Sequence, residues 1–471
     1  MSARSDGADE VRGASTPPDV SRPLPGGEAP PPPRRVLGVP THGGRFFFGW
    51  YLVAAGSVIQ FLIGALVNNA FGGYVAVLSA EYGWSKTALS WGFAISRMES
   101  GILGPLQGWL TDRLGPKRIM RIGMVIFAIG FFAFSQLWSL PTFFIFFALI
   151  SLGSSLAGFM PVTVAVVNWF DRSRSMALGI SSVGFAVGGL AASVVILAIT
   201  DLGWRQTAFA SGVIVLAVGL PLTSFMLSRP EDVGLRVDGL TPEQVAERRA
   251  ADAARQRQST STEVDFSARQ AMRTRSFWTI SLGHSSALFV VSAVMVHLFS
   301  HLTESLGYSN GEAAFFIGLM TAFQIVGQLA GGWLGDLINK RVIVVGCMAM
   351  HAAGLLLVAH LGSLSAVVGF AVLHGLAWGT RGPLMQGIRA DYFGRSSFGS
   401  IMGFSSMILM IGQIAGPVIA GFLYDRTGSY ESGFTIIALI AASGSVFFML
   451  STRPAPPAVP GNPLPTAGYE A

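Results

Sequence analysis

Charged residues are scarce in this sequence. Asp, Glu, Lys and Arg make up 12% of its 471 residues, whereas hydrophobic residues make up 51%. Apolar windows such as 122–138 and 435–450 contain no charged residue over close to the length that a bilayer-spanning helix needs. With a mean hydropathy of +0.56, this composition argues against a soluble enzyme and predicts an all-α membrane protein.

Other absences narrow the function further. Cys347 is the single cysteine and lies in an apolar run, so an intrachain disulfide is excluded and a packing role is favoured. No Ser/His/Asp set, metal-ligand cluster or phosphate-binding loop occurs at a useful spacing, which argues against an enzyme, a metal site, a cofactor and the use of ATP. Despite a pI of about 9.8, the basic residues form short clusters between apolar segments, so binding of nucleic acid is not expected.

Twelve apolar segments are long enough to cross a bilayer, and we number them as spans 1 to 12. They cover residues 46–78, 86–112, 117–137, 140–170, 175–201, 204–228, 276–302, 311–337, 341–361, 364–393, 397–424 and 430–452. Residues 46–228 and 276–452 therefore form two six-helix bundles.

Three polar regions complete the domain organisation. Residues 1–45 and 453–471 are predicted to be disordered tails on the same side of the membrane, and no signal peptide precedes the first span. Residues 229–275 form a linker, in which 241–258 begins with a capping box and predicts a surface helix. Most basic residues outside the spans fall on the side of the tails and this linker, so the positive-inside rule places both termini in the cytoplasm.

The two halves of the chain are related copies. Adding 224 to a residue number in the first half relates Gly108 to Gly332, Asp112 to Asp336 and, just before spans 2 and 8, Ser85 to Ser309. Two parallel six-span copies joined by a polar loop are typical of a rocking transporter that binds its substrate near mid-bilayer between them.

Charge is concentrated in the turn between spans 2 and 3, 108-GWLTDRLGPKRIMR-121, and a weaker copy follows at 332-GWLGDLINKR-341. Glycine allows close backbone approach there, and an acid can cap a helix N-terminus or pair with an Arg. We therefore expect a conformational latch, although a simple positive-inside anchor is an alternative for the basic residues. The expected latch residues are Gly108, Asp112, Arg113, Gly115, Lys117, Arg118, Asp336 and Arg341.

Among the charges inside the spans, Arg97, Glu99 and Arg381 have no counterpart in the other half. Both arginines fall near the midplane, where a charge is costly unless it faces a cavity and a partner. Because Arg suits bidentate binding of a carboxylate, both are candidate substrate ligands. The alternative is a structural bridge of either Arg with Glu99. Glu99 is also the candidate proton carrier.

Polar neighbours extend this candidate site. His374, Trp378 and Arg381 lie at i, i+4 and i+7 on one stripe of span 10, and Gln60 and Asn68 share a stripe of span 1. These stripes predict a substrate-binding surface, with interhelical hydrogen bonding as the alternative.

The turn between spans 2 and 3 resembles the loop signature of the major facilitator superfamily, G-x-L-x-D-x-x-G-x-K-R. Gly108, Leu110, Asp112, Gly115 and Lys117 followed by arginine match it in register. The second copy departs from the signature, since Asn339 replaces a glycine. The resemblance implies a twelve-helix fold of two pseudo-symmetric bundles and transport by alternating access.

A finer resemblance lies in 169-WFDRSRSMALGISSVG-184 and 416-GPVIAGFLYDRTGSY-430, which are similar to bacterial members of the monocarboxylate transporter and oxalate/formate antiporter group. It implies a small organic anion as substrate, often with a proton as symport or antiport partner, and a bacterial inner membrane. Family members commonly carry a charge in span 8, whereas this chain offers Gln324 and Gln328 there as candidate ligands.

Together these features predict a secondary transporter of a mono- or dicarboxylate, surrounded by membrane lipids, with proton coupling as an option. An exporter of an apolar or zwitterionic compound on the same fold is the first alternative, favoured by the uncharged span 8. A transporter-like receptor or sensor is the second.

Overall fold

The computed structural model of the protein describes residues 35–41, 46–240, 244 and 265–457. It is almost entirely helical, and its twelve main helical segments follow the twelve apolar segments of the sequence. We label them α1 to α12.

The first half contains six of these segments, and short π-helical or non-helical turns interrupt four of them. They are α1 (Phe48–Ile63, Gly64–Asn68 and Phe71–Tyr82), α2 (Lys86–Ile102 and Gly104–Leu114), α3 (Pro116–Ser135), α4 (Leu140–Ala157 and Phe159–Trp169), α5 (Arg174–Asp201) and α6 (Trp204–Ile214, Val215–Gly219, Leu220–Leu222 and Thr223–Phe225).

The second half contains six longer and more continuous segments, which follow a short helix, Ala268–Met272. They are α7 (Arg275–Ser300 and His301–Ser305), α8 (Asn310–Leu337), α9 (Lys340–His360), α10 (Leu364–Phe393), α11 (Phe398–Thr427) and α12 (Tyr430–Met449).

Ten helices of the described part are long and apolar enough to cross a membrane. The other two main segments are the ones that carry unusual polarity or a break. Helix α2 is split at Leu103, and α10 contains His374, Arg381 and Arg389. The expected all-α membrane fold is confirmed, and these two helices are those on which we expected functional charges.

The internal repeat is visible in the turns that start equivalent helices. Gly83 (φ +68°) and Gly307 (φ +74°) adopt left-handed conformations that favour glycine. Two residues later, Ser85 caps α2 by accepting a hydrogen bond from Ala88 N–H, and Ser309 caps α8 in the same way. The repeat in the sequence therefore corresponds to a repeated left-handed glycine turn and a repeated serine N-cap.

Each half has its own apolar core. Phe127 and Phe131 of α3 are buried in the first half, whereas Met348, Leu355 and Phe370 are buried in the second. Large apolar side chains also cover much of the outer surface. This distribution suits helices that face lipid on one side and protein on the other.

The end of the molecule that carries the two charged turns is called the latch end below. Both described ends of the polar linker form hydrogen bonds with loops at that end. Asp238 accepts hydrogen bonds from two backbone N–H groups of the loop before α5, and Asp265 accepts two from the loop before α11. The linker therefore contacts both halves.

The structure differs from expectation within the tail 1–45. Arg35–Val36 and Val39–Pro40 pair as a short antiparallel hairpin. Leu37 (φ +47°) and Gly38 (φ +85°) form its turn, and the strand valines pack on the first core. A two-residue turn and two valines thus order a segment expected to be disordered. The surface helix expected at 241–258, residues 1–34 and residues 458–471 lie outside the described residues, apart from 244.

Candidate functional site

A cavity of about 410 Å³ lies between the two halves. Side chains from α1, α2, α4 and α5 line it on one side, and side chains from α7, α8, α10 and α11 line it on the other. Its volume falls in the range typical of small-molecule sites.

The structure brings six of the predicted substrate ligands to this cavity from three helices. Helix α1 contributes two of them, α8 contributes two amides, and α10 contributes an aromatic ring and a guanidinium. The six residues are Gln60, Asn68, Gln324, Gln328, Trp378 and Arg381.

Arg381 is the most unusual of these side chains. It is only 1% exposed, yet neither Nε nor Nη1 has a hydrogen-bond partner within the described part of the chain. No ion pair to Arg381 occurs there either, so the expected alternative of an Arg381–Glu99 bridge is absent from the described residues. A buried guanidinium on a cavity without a protein partner is suited to an anionic ligand.

A second buried arginine was not among the predicted ligands. Arg389 lines the cavity about two turns closer to the latch end and, unlike Arg381, is held by protein groups. Its Nη2 donates to His284 Nδ1 at 3.0 Å and to Ser405 Oγ at 2.9 Å, and its Nη1 donates to Gln386 Oε1 at 3.3 Å.

The sequence contained a signal for Arg389 and one for His284, to which Arg389 donates a hydrogen bond. Phe170 and Phe393 are related by a shift of 223, at which position 389 is equivalent to Val166, so Arg389 is also a charge present in only one half. His284 is equivalent to Gln60 at the shift of 224, and both line the cavity.

His374 does not reach the cavity. It is completely buried against α9, where its Nδ1 lies 3.1 Å from His351 Nδ1, and its ring packs on Phe370. His374 lies on the same stripe of α10 as Arg381, but α9 packs against the turn of α10 that carries His374. Sequence spacing does not reveal which neighbour covers each turn.

Of the two charged side chains predicted on α2, the structure describes that of Glu99. Arg97 lies in α2, and its side chain lies outside the described part of the structure. Glu99 lies beside the cavity, where its carboxylate accepts hydrogen bonds from Gln107 Nε2 at 2.7 Å and from Ser100 Oγ at 3.2 Å. Gln107 lines the cavity and accepts a hydrogen bond from Ser155 Oγ at 2.9 Å.

At the latch end, two aspartates lie at helix N-termini of the opposite half. Asp112 of α2 accepts hydrogen bonds from the N–H groups of Gly399 (2.9 Å) and Ser400 (2.7 Å) at the start of α11. Asp336 of α8 accepts them from Ser175 N–H (2.8 Å) and from the next N–H group (3.0 Å) at the start of α5. Each carboxylate thus meets the positive end of a helix dipole.

Glycines bring the helix backbones together at both places. A Cβ at Gly108 would collide with the Gly399 carbonyl, and a Cβ at Gly332 would lie against the Ser175 carbonyl. The carboxylates can therefore reach the opposite helix only because these positions have no side chain.

Three of the other expected latch residues, Arg113, Gly115 and Arg341, have roles within their own half. Gly115 (φ +81°) forms the turn between α2 and α3, and the Arg113 guanidinium lies over the Trp109 ring of its own helix. Arg341 donates to the Ser451 carbonyl within its own half at 2.8 Å. Arg118 is exposed on α3, and Lys117 precedes it.

An ion-pair cluster at the latch end was not predicted. Asp391 of α10 pairs with Arg174 of α5 at 2.7 Å and with Lys340 of α9 at 2.8 Å. It has no equivalent acid in the first half, because Asn168 occupies the corresponding position at the shift of 223.

Taken together, the polar contacts between the halves close one end of the cavity. The hydrogen bonds and ion pairs between the halves described above lie at the latch end. Arg395 Nη1 also donates to the Asn168 carbonyl at that end, and Ser406 Oγ donates to the Ser100 carbonyl (3.5 Å) nearer the cavity. The cavity is therefore sealed towards the latch end.

The chain matches a known family along most of its length. The family model described as Major Facilitator Superfamily matches residues 56–300 and 280–469. Monocarboxylate transporter 13 of Rattus norvegicus is 23% identical over 412 residues, covering 86% of this chain and 89% of the relative. Monocarboxylate transporter 12 of the same species is 25% identical over 427 residues, covering 86% and 85%.

Two solved structures have a similar fold. The human organic anion transporter MFSD10 (TETRAN) superimposes with a TM-score of 0.62 at 16% identity, over 85% of this chain and 97% of that chain. The proton:xylose symporter XylE, bound to 6-bromo-6-deoxy-D-glucose, superimposes with a TM-score of 0.66 at 14% identity, over 86% and 96%.

Proposed function

We propose that this chain, which belongs to the Major Facilitator Superfamily, is a secondary transporter of a small organic anion. The superfamily expected from the turn between α2 and α3 is confirmed by the family match, and its members among the relatives are transporters, not enzymes. The finer assignment rests on the chemistry of the central cavity.

The unpartnered Arg381 carries this proposal. An ionised group near the middle of a membrane costs at least a few kcal/mol unless a partner compensates it, and the described protein residues supply none for Arg381. A substrate carboxylate can accept two parallel hydrogen bonds from the guanidinium. Arg381 is then the anchor of the substrate.

The charge of the whole cavity supports an anion. Arg381 and Arg389 both line it, whereas its lining within the described residues includes no Asp or Glu. Such a wall attracts anions and repels cations. The relatives named as monocarboxylate transporters agree with this substrate class.

Alternating access accounts for the two aspartate contacts. The carboxylates of Asp112 and Asp336 hold the halves together at one end of the cavity, and rocking of the halves must break both contacts to open that end. If the basic turns lie in the cytoplasm, as the positive-inside rule predicts, the present conformation faces outward.

Proton coupling through Glu99 is supported by its hydrogen bonds to Gln107 and Ser100, since Gln107 links it to the cavity wall. A carboxyl group at this place can gain or lose a proton as the cavity fills with water or substrate.

An exporter of an apolar or zwitterionic compound is the second candidate. The described wall of the first half is uncharged and includes Phe147, Phe159 and Met160, which favours contact with an apolar molecule.

Transport by the purified protein in liposomes tests the proposal. Radiolabelled C1 to C4 carboxylates are offered with and without a proton gradient to the wild type, Arg381→Gln and Arg426→Gln. Arg426 is an exposed control that stacks on Phe422 away from the cavity. We expect accumulation of at least one acid and a loss of roughly 30-fold or more in Arg381→Gln, because a buried charge pair loses one partner. If no carboxylate accumulates, the exporter proposal takes precedence.

A further inference from the structure

We propose that His284 of α7 is a second hydrogen-bond donor for the carboxylate held by Arg381, and that Arg389 is the positioning residue that keeps the His284 ring in its donor form. This inference rests on the proposed function, since it adds a ligand to the site of the same anion.

The contact with Arg389 fixes the proton of the His284 ring. Arg389 Nη2 lies 3.0 Å from His284 Nδ1, and a guanidinium donates hydrogen bonds but has no acceptor. His284 Nδ1 must therefore accept, which leaves the ring proton on Nε2. In this contact His284 is a neutral imidazole whose Nε2–H group is free to donate.

The donor atom of His284 is open to the cavity. His284 and Leu288 lie one turn apart on α7 and both line the cavity, whereas Ser281 and Ser285 bond to α11. His284 keeps 6% of its surface exposed, and its Nε2 is not among the completely buried polar atoms without a partner. Because Nε2 has no hydrogen-bond partner in the described chain either, it retains accessible surface, and a molecule in the cavity can bond to it.

Arg381 lies at a similar depth to this donor. At 1.5 Å per residue from the latch ends of α7 and α10, His284 lies at about 14 Å, Arg381 at about 18 Å and Arg389 at about 6 Å. Arg381 also interacts electrostatically with the His284 ring and with Arg389. A carboxylate that accepts from Arg381 with one oxygen can therefore accept from His284 with the other.

Arg389 donates to neutral acceptors in the described part of the chain. They are His284 Nδ1, Ser405 Oγ, Gln386 Oε1 and the Met385 carbonyl. None of the ion pairs found among the described residues involves Arg389. Hydrogen bonds in a chain polarise one another, so the bond from Arg389 strengthens the donor at His284 Nε2. An anion at His284 therefore gains from the charges of both arginines.

The duplication supplies the conservative substitution for a test. A shift of 224 relates His284 to Gln60, which also lines the cavity. The side-chain amide of glutamine always carries donor hydrogens, so no partner is needed to fix its proton. His284→Gln therefore separates the loss of a donor from the loss of tautomer control by Arg389.

Uptake into proteoliposomes is the first test. The KM for the acid that accumulates best in the C1 to C4 panel is measured for the wild type, His284→Ala, His284→Gln and His360→Gln. His360 is an exposed control that bonds to Glu431 and Thr435 away from the cavity. We expect His284→Ala to raise the KM about tenfold, because the carboxylate loses a charge-assisted hydrogen bond, and both glutamine variants to stay within about threefold of the wild type.

The tautomer of His284 is the second test, and it is a readout that a merely structural contact does not move. Nitrogen NMR of protein with isotope-labelled histidine distinguishes protonated from unprotonated ring nitrogens, and the signals absent from His284→Gln are those of His284. We expect a protonated Nε2 and an unprotonated Nδ1 in the wild type, and a shift of the Nε2 signal when the acid is added. A protonated Nδ1, or an Nε2 signal that the acid leaves unmoved, overturns the inference.

Arg389→Met tests the positioning role, since methionine fills space without donating a hydrogen bond. We expect the KM to rise about tenfold in the wild-type background and less than about threefold in the His284→Gln background. Equal rises in both backgrounds overturn the positioning role. If Arg389→Met does not fold, the NMR signals of the wild type decide.

The two proposals can fail separately. An unchanged KM in folded His284→Ala, with uptake that Arg381→Gln abolishes, overturns the role of His284 and leaves the organic anion transporter intact. Absence of any carboxylate uptake by the wild type overturns both.

Discussion

The carboxylate of Asp112 lies at the N-terminus of the helix that begins near Ser400 in the other half, where it accepts hydrogen bonds from both the Ser400 N–H (2.7 Å) and the Ser400 Oγ (2.6 Å). These two residues are 288 positions apart in the sequence. Their contact joins the halves at the latch end, so the equilibrium between conformations depends on it.

Solvent access to cysteines introduced one at a time reports this equilibrium. Cys347 is buried, so the wild type should react little with a membrane-impermeant maleimide. We expect Asn68→Cys, on the cavity wall, to react quickly from the side opposite the latch end, and Thr111→Cys, which is 1% exposed at the latch end, to react slowly from either side. Rapid labelling at 111 and slow labelling at 68 contradict the sealed latch end.

Removing the charge of Asp112 should open the latch end. Asp112→Asn keeps the shape of the side chain but turns charge-assisted hydrogen bonds into neutral ones, which costs about 2 kcal/mol. We therefore expect the labelling rate of Thr111→Cys to rise roughly 30-fold in this background. Asp425→Asn, which is exposed near the C-terminus of α11 at the other end, is the matched control and should leave the rate unchanged.

The two aspartate contacts should act on one equilibrium. Asp336→Asn is expected to raise labelling at Thr111→Cys in the same direction, and the free-energy changes of the two single variants should add in the double variant within about 0.5 kcal/mol. The measurement is the same maleimide assay on all four proteins. A double variant no more reactive than either single variant indicates that one contact alone controls the closure.

Backbone contact at Gly108 should be indispensable for closure. In Gly108→Val, the added side chain collides with the Gly399 carbonyl, so we expect the latch end to stay open and transport to fall at least about tenfold. Gly346→Val on α9 is the control, because a Cβ there meets nothing within 4 Å. Normal transport by folded Gly108→Val, with a latch end that still closes, refutes this prediction.

The two cavity arginines should respond differently to lysine. Arg389 donates to several protein acceptors in the geometry of its planar fork, so Arg389→Lys should lower the free energy of unfolding by about 2 kcal/mol. Arg381 has no such partners, so Arg381→Lys should keep its thermal stability and lose substrate affinity. Thermal unfolding in detergent and KM for the transported acid separate these outcomes, and equal destabilisation by both substitutions contradicts the assignment.

Many of the site residues could be predicted because the repeat restricts the choice. A charge inside a span is costly, and a charge that occurs in only one half has no counterpart in the scaffold. A search for such charges identifies Arg381 from the sequence alone. When the same criterion is applied to every charge inside the spans, it also identifies Arg389. His374 shows the limit of the method, because helical spacing placed it on the stripe of Arg381 although α9 covers it.

The sequence by itself determined the membrane class, the twelve helices, the duplication and the turns that start equivalent helices, since these follow from local hydropathy and from capping and glycine chemistry. Tertiary structure alone decided which end of the cavity is closed, and that Arg381 lacks a partner among the described residues while Arg389 has several. These properties depend on contacts between different helices, such as those of Arg389 with His284 and of Asp112 with Ser400. Local sequence patterns do not encode such contacts, because the same helix can bury different faces against different neighbours.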